Sequence, residues 1–164
     1  MLLDEEYMRK ALTLAEKAYA LGEAPVGAVI IDGSGEIVGD GFNLRETNAS
    51  PLAHAEIIAI EKAAGLLKNR RLDLCTMYVT LEPCLMCAGA IMQARLKRLV
   101  YGAFAAQTGA VTSVAAVYDF PFGYKPMVRG GILESECSAL LSKFGEDLRS
   151  DIRENPLEET NGQV

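Results

Sequence analysis

Segments with helical spacing alternate with short strand-like runs along the whole chain, and this alternation limits the possible folds more than any other feature. The first helical segment runs from Asp4 to Leu21, with apolar side chains three and four residues apart, and the β-branched run Val26–Ile31 follows it. Such alternation is typical of α/β domains, in which helices cover both faces of a sheet. We find no internal repeat or linker, so we expect one domain over residues 1–153 and a flexible acidic tail over 154–164.

The same patterns predict the remaining elements. Asp4 is expected to cap the first helix, and Gly22 is expected to end it in a left-handed conformation. The predicted helices are Asp4–Leu21, Ala53–Leu67, Pro83–Ala94, a short one in Gly109–Val117, and Glu134–Ile152. The predicted strands are Val26–Ile31, Glu36–Phe42, Met77–Leu81, Leu99–Tyr101 and Met127–Leu133.

Composition and charge exclude several functional classes. The 164 residues carry a formal net charge of −6 and half of them are apolar, which is typical of a globular protein and argues against strong nonspecific binding to nucleic acid. No apolar run approaches the roughly 20 residues of a membrane-spanning helix, and the N-terminus lacks the basic region of a secretory signal. We therefore expect a cytoplasmic protein without a membrane partner.

The chain has four cysteines and a single histidine, His54. Four cysteines are too few for a disulfide scaffold in a chain of this size, and clustered cysteines in a reducing compartment favour metal or redox chemistry. Cys84 and Cys87 are three residues apart at the start of a predicted helix, so both sulfurs can point to one place. A helix N-terminus favours negative charge and therefore thiolates.

His54 and this cysteine pair together provide three possible zinc ligands. Two thiolates and one imidazole leave the fourth tetrahedral position of zinc open for water, as is typical of catalytic sites. Glu56, two residues after the histidine, is predicted to move a proton from that water to a leaving group. Because zinc lowers the pKa of its water from about 15.7 to about 7, these residues favour hydrolytic removal of an amine from an electrophilic carbon.

Two other interpretations of the cysteines stay open at this point. A Cys-x-x-Cys sequence that follows a strand and opens a helix can be redox-active, although that leaves His54 and Glu56 unexplained. A closed structural zinc site would need a fourth ligand, for which Cys75 and Cys137 are the candidates. We expect both to be buried packing residues instead, since Cys137 lies on the apolar face of the last helix and Cys75 lies beside a strand.

The segments Ala53-His54-Ala55-Glu56 and Pro83-Cys84-Leu85-Met86-Cys87 together resemble the zinc-dependent cytidine deaminase superfamily, whose signature is H-x-E followed by P-C-x-x-C. Further segments are similar to its bacterial tRNA adenosine deaminase branch, and the likeness covers about residues 5–148. These segments are Ala24–Val29, Gly41–Asn43, Tyr78–Cys84, Met86–Ala90 and Thr108–Ala110.

The resemblance implies a fold, a site and a reaction. The fold is a three-layer α/β/α sandwich with a mixed sheet of about five strands, commonly in a homodimer. By resemblance, His54, Cys84 and Cys87 bind Zn²⁺. Glu56 is the catalytic proton shuttle, and Asn43 hydrogen-bonds the target base. The implied partner is a tRNA anticodon loop, in which the wobble adenosine is attacked at C6 to give inosine and ammonia.

The alternative is a related enzyme that deaminates a free base or nucleoside of the guanine, adenosine or cytosine type. Phe104-Ala105-Ala106-Gln107 stand where the branch usually has Arg-Asp-Ala-Lys, and the last helix lacks the usual arginines, so less positive charge is left for phosphates. Arg45, and Lys125 near the pocket rim, are the remaining candidates for phosphate contacts. Phe104 and Tyr124 are the candidates for stacking on bases.

Overall fold

The computed structural model of the protein describes residues 2–154, so that the predicted tail lies outside the described residues from 155 onward. The elements in the described part are α1 (Leu2–Ala20), β1 (Gly27–Ile31), β2 (Ile37–Phe42), α2 (Ala55–Leu67), β3 (Thr76–Leu81), α3 (Leu85–Ala94), β4 (Arg98–Ala103), a 3₁₀ turn (Val117–Asp119), β5 (Met127–Arg129) and α4 (Glu134–Glu154).

The five strands form one mixed sheet in the order β2-β1-β3-β4-β5. Strand β1 is antiparallel to β2 and to β3, whereas β3, β4 and β5 are parallel. Side chains alternate across β1, so that Ala28 and Ile30 join one buried cluster while Val29 and Ile31 join another. The first cluster includes α2 and α3 and the second includes α1 and α4, which confirms the predicted three-layer sandwich.

Two glycines in β2 let helix α2 lie directly against the sheet. A Cβ atom on Gly39 would lie 2.3 Å from the carbonyl oxygen of Ala59, and one on Gly41 would lie 2.4 Å from that of Ala55. No side chain fits in this space, because such distances are far below van der Waals contact. The glycines therefore fix the start of α2 beside the end of β2.

Most predicted elements are confirmed within a few residues, but three differ. Gly109–Val117 is not a helix, and the chain instead makes turns until the 3₁₀ turn that begins at Val117. Strand β5 ends at Arg129 rather than Leu133, and Gly131 has a positive φ of +83°. Pro83 lies outside α3, since the helix begins at Leu85 and Cys84 is its N-cap.

The expectation that Asp4 caps the first helix is also wrong. Asp4 lies inside α1, and its side chain faces the sheet, where it pairs with Arg98 at 2.7 Å and Arg129 at 3.0 Å. The prediction for Gly22 is confirmed by its φ of +74°. Across residues 2–154, none of the helices combines the length and the apolar character needed to cross a membrane.

Candidate active site

One cavity lies where β2 and β3 end beside the start of β1. This position follows from the antiparallel register, which pairs Gly27 with Phe42 and Ala28 with Val79. The cavity measures about 220 Å³, below the range of about 300–1,000 Å³ that is usual for drug-sized ligands, so it suits a small ring system. Its walls are formed by Ala24, Val26, Asn43, Arg45, His54, Ala55, Glu56, Leu81, Glu82, Cys84 and Thr108.

The starts of two helices bring the predicted metal ligands together at this cavity. His54 is the N-cap of α2 and Cys84 is the N-cap of α3, with Cys87 in the first turn of that helix. The Nδ1 atom of His54 lies 3.8 Å from Sγ of Cys84 and 3.5 Å from Sγ of Cys87. All three ligand atoms lie within 4.8 Å of one another.

This donor set fits a zinc ion. Zn–S bonds of about 2.3 Å and Zn–N bonds of about 2.0–2.1 Å in a tetrahedron place a nitrogen and a sulfur ligand about 3.6 Å apart. The two observed nitrogen–sulfur distances lie on either side of that value. The group is therefore positioned to bind a metal ion, and one tetrahedral position stays free for another ligand.

The hydrogen bonds among Cys84, Cys87 and His54 shift the pKa values of the three side chains in different directions. The Cys87 thiol donates a hydrogen bond to Cys84, which lowers the pKa of Cys84 to about 3, and nearby His54 adds to this effect. The same hydrogen bond, together with burial, raises the pKa of Cys87. Cys84 in turn raises the pKa of His54. A lowered pKa favours the thiolate form of Cys84, which is the form of cysteine that binds metals.

Glu56 and Asn43 line the same cavity. Glu56 is only 4% exposed, and burial raises the pKa of its carboxyl group. Asn43 follows β2 directly and is 6% exposed, with its backbone N–H donating to the carbonyl of Val26 at 3.0 Å. A carboxyl group and an amide group therefore face the same space as the three possible metal ligands.

The other two cysteines lie in the two cores rather than at the cavity. Cys75 is 3% exposed in the cluster that includes α2 and α3, and Cys137 is 1% exposed in the cluster that includes α1 and α4. Neither belongs to the ligand group formed by His54, Cys84 and Cys87. Their predicted role as packing residues is confirmed, and the interpretation of either as a fourth ligand is wrong.

The candidate contacts for a larger substrate are only partly at the cavity. Arg45 is exposed on its rim. Lys125 lines a separate groove together with Phe104 and is not one of the residues that form the cavity wall. The Tyr124 hydroxyl donates to the carbonyls of Arg95 and Leu96 on another part of the surface, away from the residues that line the cavity.

Two buried carboxylates near the cavity were not anticipated from the sequence. Glu23, 1% exposed, accepts the N–H of Thr47 at 2.7 Å and that of Glu46 at 3.3 Å, and so anchors the loop that carries Arg45. Glu82, 2% exposed, accepts hydrogen bonds from residues 105–113. In the sequence, the only indication of a role for Glu82 is its position between a strand and the Pro-Cys pair. Its hydrogen-bond partners are backbone groups far along the chain, and such partners cannot be recognised from residue types.

Residues 1–103 match the family model for the cytidine and deoxycytidylate deaminase zinc-binding region. The chain therefore belongs to this family of zinc-dependent deaminases. The family match and the His-Cys-Cys group confirm Zn²⁺ as the cofactor.

Within the family, particular relatives support the predicted branch. A tRNA-specific adenosine deaminase from Haemophilus influenzae is 49% identical over 149 residues, which cover 90% of this chain and 86% of that protein. A solved structure from work on A-to-I editing by tRNA:A34 deaminases at the wobble position of transfer RNA has a TM-score of 0.80 and 39% identity. The aligned part covers 83% of this chain and 99% of the chain in that structure. The expected resemblance to the bacterial tRNA adenosine deaminases is confirmed.

The chain is also similar to a deaminase of a free base. The solved structure of guanine deaminase from Bacillus subtilis has a TM-score of 0.60 and 32% identity, and it covers 88% of this chain and 93% of its own. Both identity and structural similarity are lower than for the tRNA:A34 deaminase structure.

Proposed function

We propose that this protein deaminates adenosine at the wobble position of a tRNA anticodon loop to give inosine. The observation that carries the proposal is the 49% identity to a tRNA-specific adenosine deaminase over 90% of the chain. The cavity supports the proposal, because the His-Cys-Cys group, the buried carboxyl group of Glu56 and the buried amide group of Asn43 all face this one small space. A base on a single-stranded loop can be splayed out into such a space.

Each site residue has a role in this reaction. His54, Cys84 and Cys87 would hold the zinc ion, with the two sulfurs as thiolates. Bound zinc supplies a water that is acidic enough to react near neutral pH. Asn43 would orient the adenine by hydrogen bonding to it, since its amide can both donate and accept. Glu56 would move the proton.

The proton balance assigns two steps to Glu56. Its carboxylate takes a proton from the attacking water as the new bond forms at C6, and then gives that proton to the exocyclic nitrogen. The C–N bond breaks and ammonia leaves, so that one water is consumed for each amine lost. Burial raises the pKa of the Glu56 carboxyl group, which favours its role as a group that takes up a proton and then returns it.

The second candidate is deamination of a free base or nucleoside. The 32% identity to a guanine deaminase favours it, as does the uncharged segment Phe104-Ala105-Ala106-Gln107, which directly precedes Thr108 of the cavity wall. The two functions differ in the contacts they need outside the cavity, because an anticodon loop must be held by its phosphates.

A substrate panel tests the choice. The protein would be incubated with an anticodon stem-loop that carries adenosine at the wobble position and, separately, with guanine, adenosine, cytosine and cytidine, while ammonia release is measured. A stem-loop with guanosine at that position is the matched control. We expect inosine from the first RNA only, and binding that weakens steeply with salt. Release of ammonia from guanine but from neither RNA would overturn the first choice.

We further propose a homodimer that acts in the cytoplasm. Leu52 and Leu85 support the dimer, because they are 59% and 66% exposed and lie within two residues of His54 and Cys84. Both belong to segments that start a helix at the cavity, and a contiguous apolar patch in such a place is typical of a contact surface. Light scattering should give twice the chain mass of 17.7 kDa, and Leu85→Asp should shift the mass toward one chain. A single-chain mass for the unaltered protein would contradict the dimer.

A further inference from the structure

The carboxylate of Glu82 is the centre of a hydrogen-bonded turn directly before the metal ligand Cys84. Oε1 accepts the backbone N–H groups of Val111, Thr112 and Ser113 at 3.2, 2.7 and 2.9 Å. Oε2 accepts the N–H of Ala105 at 3.0 Å and the hydroxyl of Ser113. Five donors thus surround one carboxylate that is 2% exposed.

Only hydrogen-bond donors satisfy this charge, since no cation pairs with Glu82 among the ion pairs of residues 2–154. The four backbone N–H groups can only donate, so they match an ionised carboxyl group, whose two oxygens only accept. Hydrogen bonds to such a carboxylate are charge-assisted.

The segment around this carboxylate also touches the metal loop and the cavity. The N–H of Ala110 donates to the carbonyl of Pro83 at 2.9 Å. Gly109 lies so close that a Cβ atom there would be 2.3 Å from the Glu82 carboxyl group. Thr108, next to it, lines the same cavity as His54 and Asn43.

We propose that Glu82 is a positioning residue that fixes the distance between the Thr108 wall and Cys84, and so determines how tightly the cavity holds its base. This inference rests on the proposed function. Glu82 does not belong to the metal-ligand group, so it acts through residues 105–113. Residues 104–116 form no helix or strand. The Glu82 carboxylate therefore supplies hydrogen-bond acceptors that a helix or strand would supply to backbone N–H groups elsewhere.

Glu82→Gln is the sharpest test, because it keeps the shape and removes the charge. The amide oxygen can replace Oε1 and keep three N–H donors, but the amide nitrogen in place of Oε2 would then face the N–H of Ala105. We expect KM for the anticodon stem-loop to rise about tenfold, as for one lost charge-assisted hydrogen bond. We expect kcat to fall less than threefold, and zinc to stay near one per chain. Amide exchange at Ala105 should become faster.

The control variant is Asp4→Asn, which alters another buried carboxylate at the opposite ends of β3 and β4. It should lower the unfolding midpoint but leave KM unchanged. If Glu82→Gln speeds amide exchange yet changes neither KM nor kcat, or if it loses its zinc, the positioning role is wrong. Should Glu82→Gln fail to fold, Ser113→Ala is judged by the same criteria, with an expected rise in KM of about threefold.

Failure of the proposed function would be seen separately. If the unaltered protein deaminates no RNA, the substrate assignment fails, whatever Glu82 does. Glu82 is then judged with the base or nucleoside of the panel that the unaltered protein deaminates. If Glu82→Gln and the unaltered protein have the same KM for every substrate that they deaminate, the inference is overturned.

Discussion

At the scale of single residues, the cysteines show how position decides the role of the same side chain. Cys84 caps α3 at the cavity and Cys75 is buried in a core. We predict that Cys84→Ala loses most of its zinc and all measurable activity, because two ligands bind far more weakly than three. Cys75→Ala should keep both. Zinc per chain, measured by atomic absorption after dialysis, checks this, and equal zinc in both variants would contradict the assignment of Cys84.

Glu56 gives the second prediction at this scale. Glu56→Gln keeps the size of the side chain but cannot move a proton, so we expect kcat to fall by about 10²–10⁴-fold while zinc stays bound. The control is Glu61→Gln, on the same helix but exposed to solvent, which should leave kcat unchanged. Activity of Glu56→Gln within a few fold of the unaltered protein would exclude the carboxylate as the proton shuttle.

The metal group could be predicted because its evidence is local. His54 and Glu56 are two residues apart, Cys84 and Cys87 are three apart, and both pairs lie where a helix begins. The role of Glu82 could not be predicted, because its partners lie 23 to 31 residues further along the chain. A hydrogen bond from a backbone N–H leaves no trace in the identity of the donor residue.

At the scale of elements, the backbones of strand β2 and helix α2 lie in direct contact at the glycines of β2. Gly41→Ala would place a methyl group 2.4 Å from the carbonyl of Ala55 and push the start of α2 away from the sheet. We predict a stability loss of about 2 kcal/mol or more and weaker zinc binding, because His54 moves with this helix. Gly65→Ala is the control, since a Cβ there meets nothing within 4 Å and should stabilise α2 by about 0.5–1 kcal/mol.

Denaturant unfolding and zinc content together check this pair of glycine variants. A loss of stability with unchanged zinc affinity in Gly41→Ala would show that the sheet, and not the helix, absorbs the added methyl group.

Elements with a strong pattern of their own were predicted well, and those held by distant groups were not. Strand β1 is buried at every position, as its unbroken apolar run indicates. The sequence predicts a short helix in residues 109–117, but the structure has turns there. Glu82 accepts the N–H groups of Val111, Thr112 and Ser113, and the N–H of Val114 donates to the carbonyl of Gly109, five residues before it, rather than four as in an α-helix. Strand β5 is short, and Gly130 lies directly on the ring of Tyr101 just beyond its end.

At the scale of the whole molecule, we propose that residues 1–153 unfold as a single domain, because both cores share one sheet. Asp4 joins distant parts of this unit. Its carboxylate accepts hydrogen bonds from Arg98 at 2.7 and 2.8 Å, Arg129 at 3.0 Å and Tyr78 at 3.0 Å. One side chain of α1 therefore connects β3, β4 and β5.

This cluster predicts how stability depends on acid. The hydrogen bonds from Arg98 lower the pKa of Asp4 to about 2, below the value of 3.8 for an unperturbed aspartate. A group whose pKa is lower in the folded state stabilises the fold above its unfolded pKa and loses that effect as the pH falls through the folded pKa. The contribution of Asp4, about 2 kcal/mol, is thus complete above pH 5 and disappears between about pH 4 and pH 2.

Asp4→Asn should therefore be less stable than the unaltered protein at pH 7 by at least this amount, because two arginines lose their partner. Between pH 4 and pH 2 the difference should narrow, since only the unaltered protein has this ionisation to lose. Asp40→Asn, which breaks an exposed pair with Lys62, should cost less than about 1 kcal/mol at any pH. Urea unfolding at several pH values measures all three proteins. Parallel stability curves for Asp4→Asn and the unaltered protein below pH 4 would mean that Asp4 titrates alike in the folded and unfolded states.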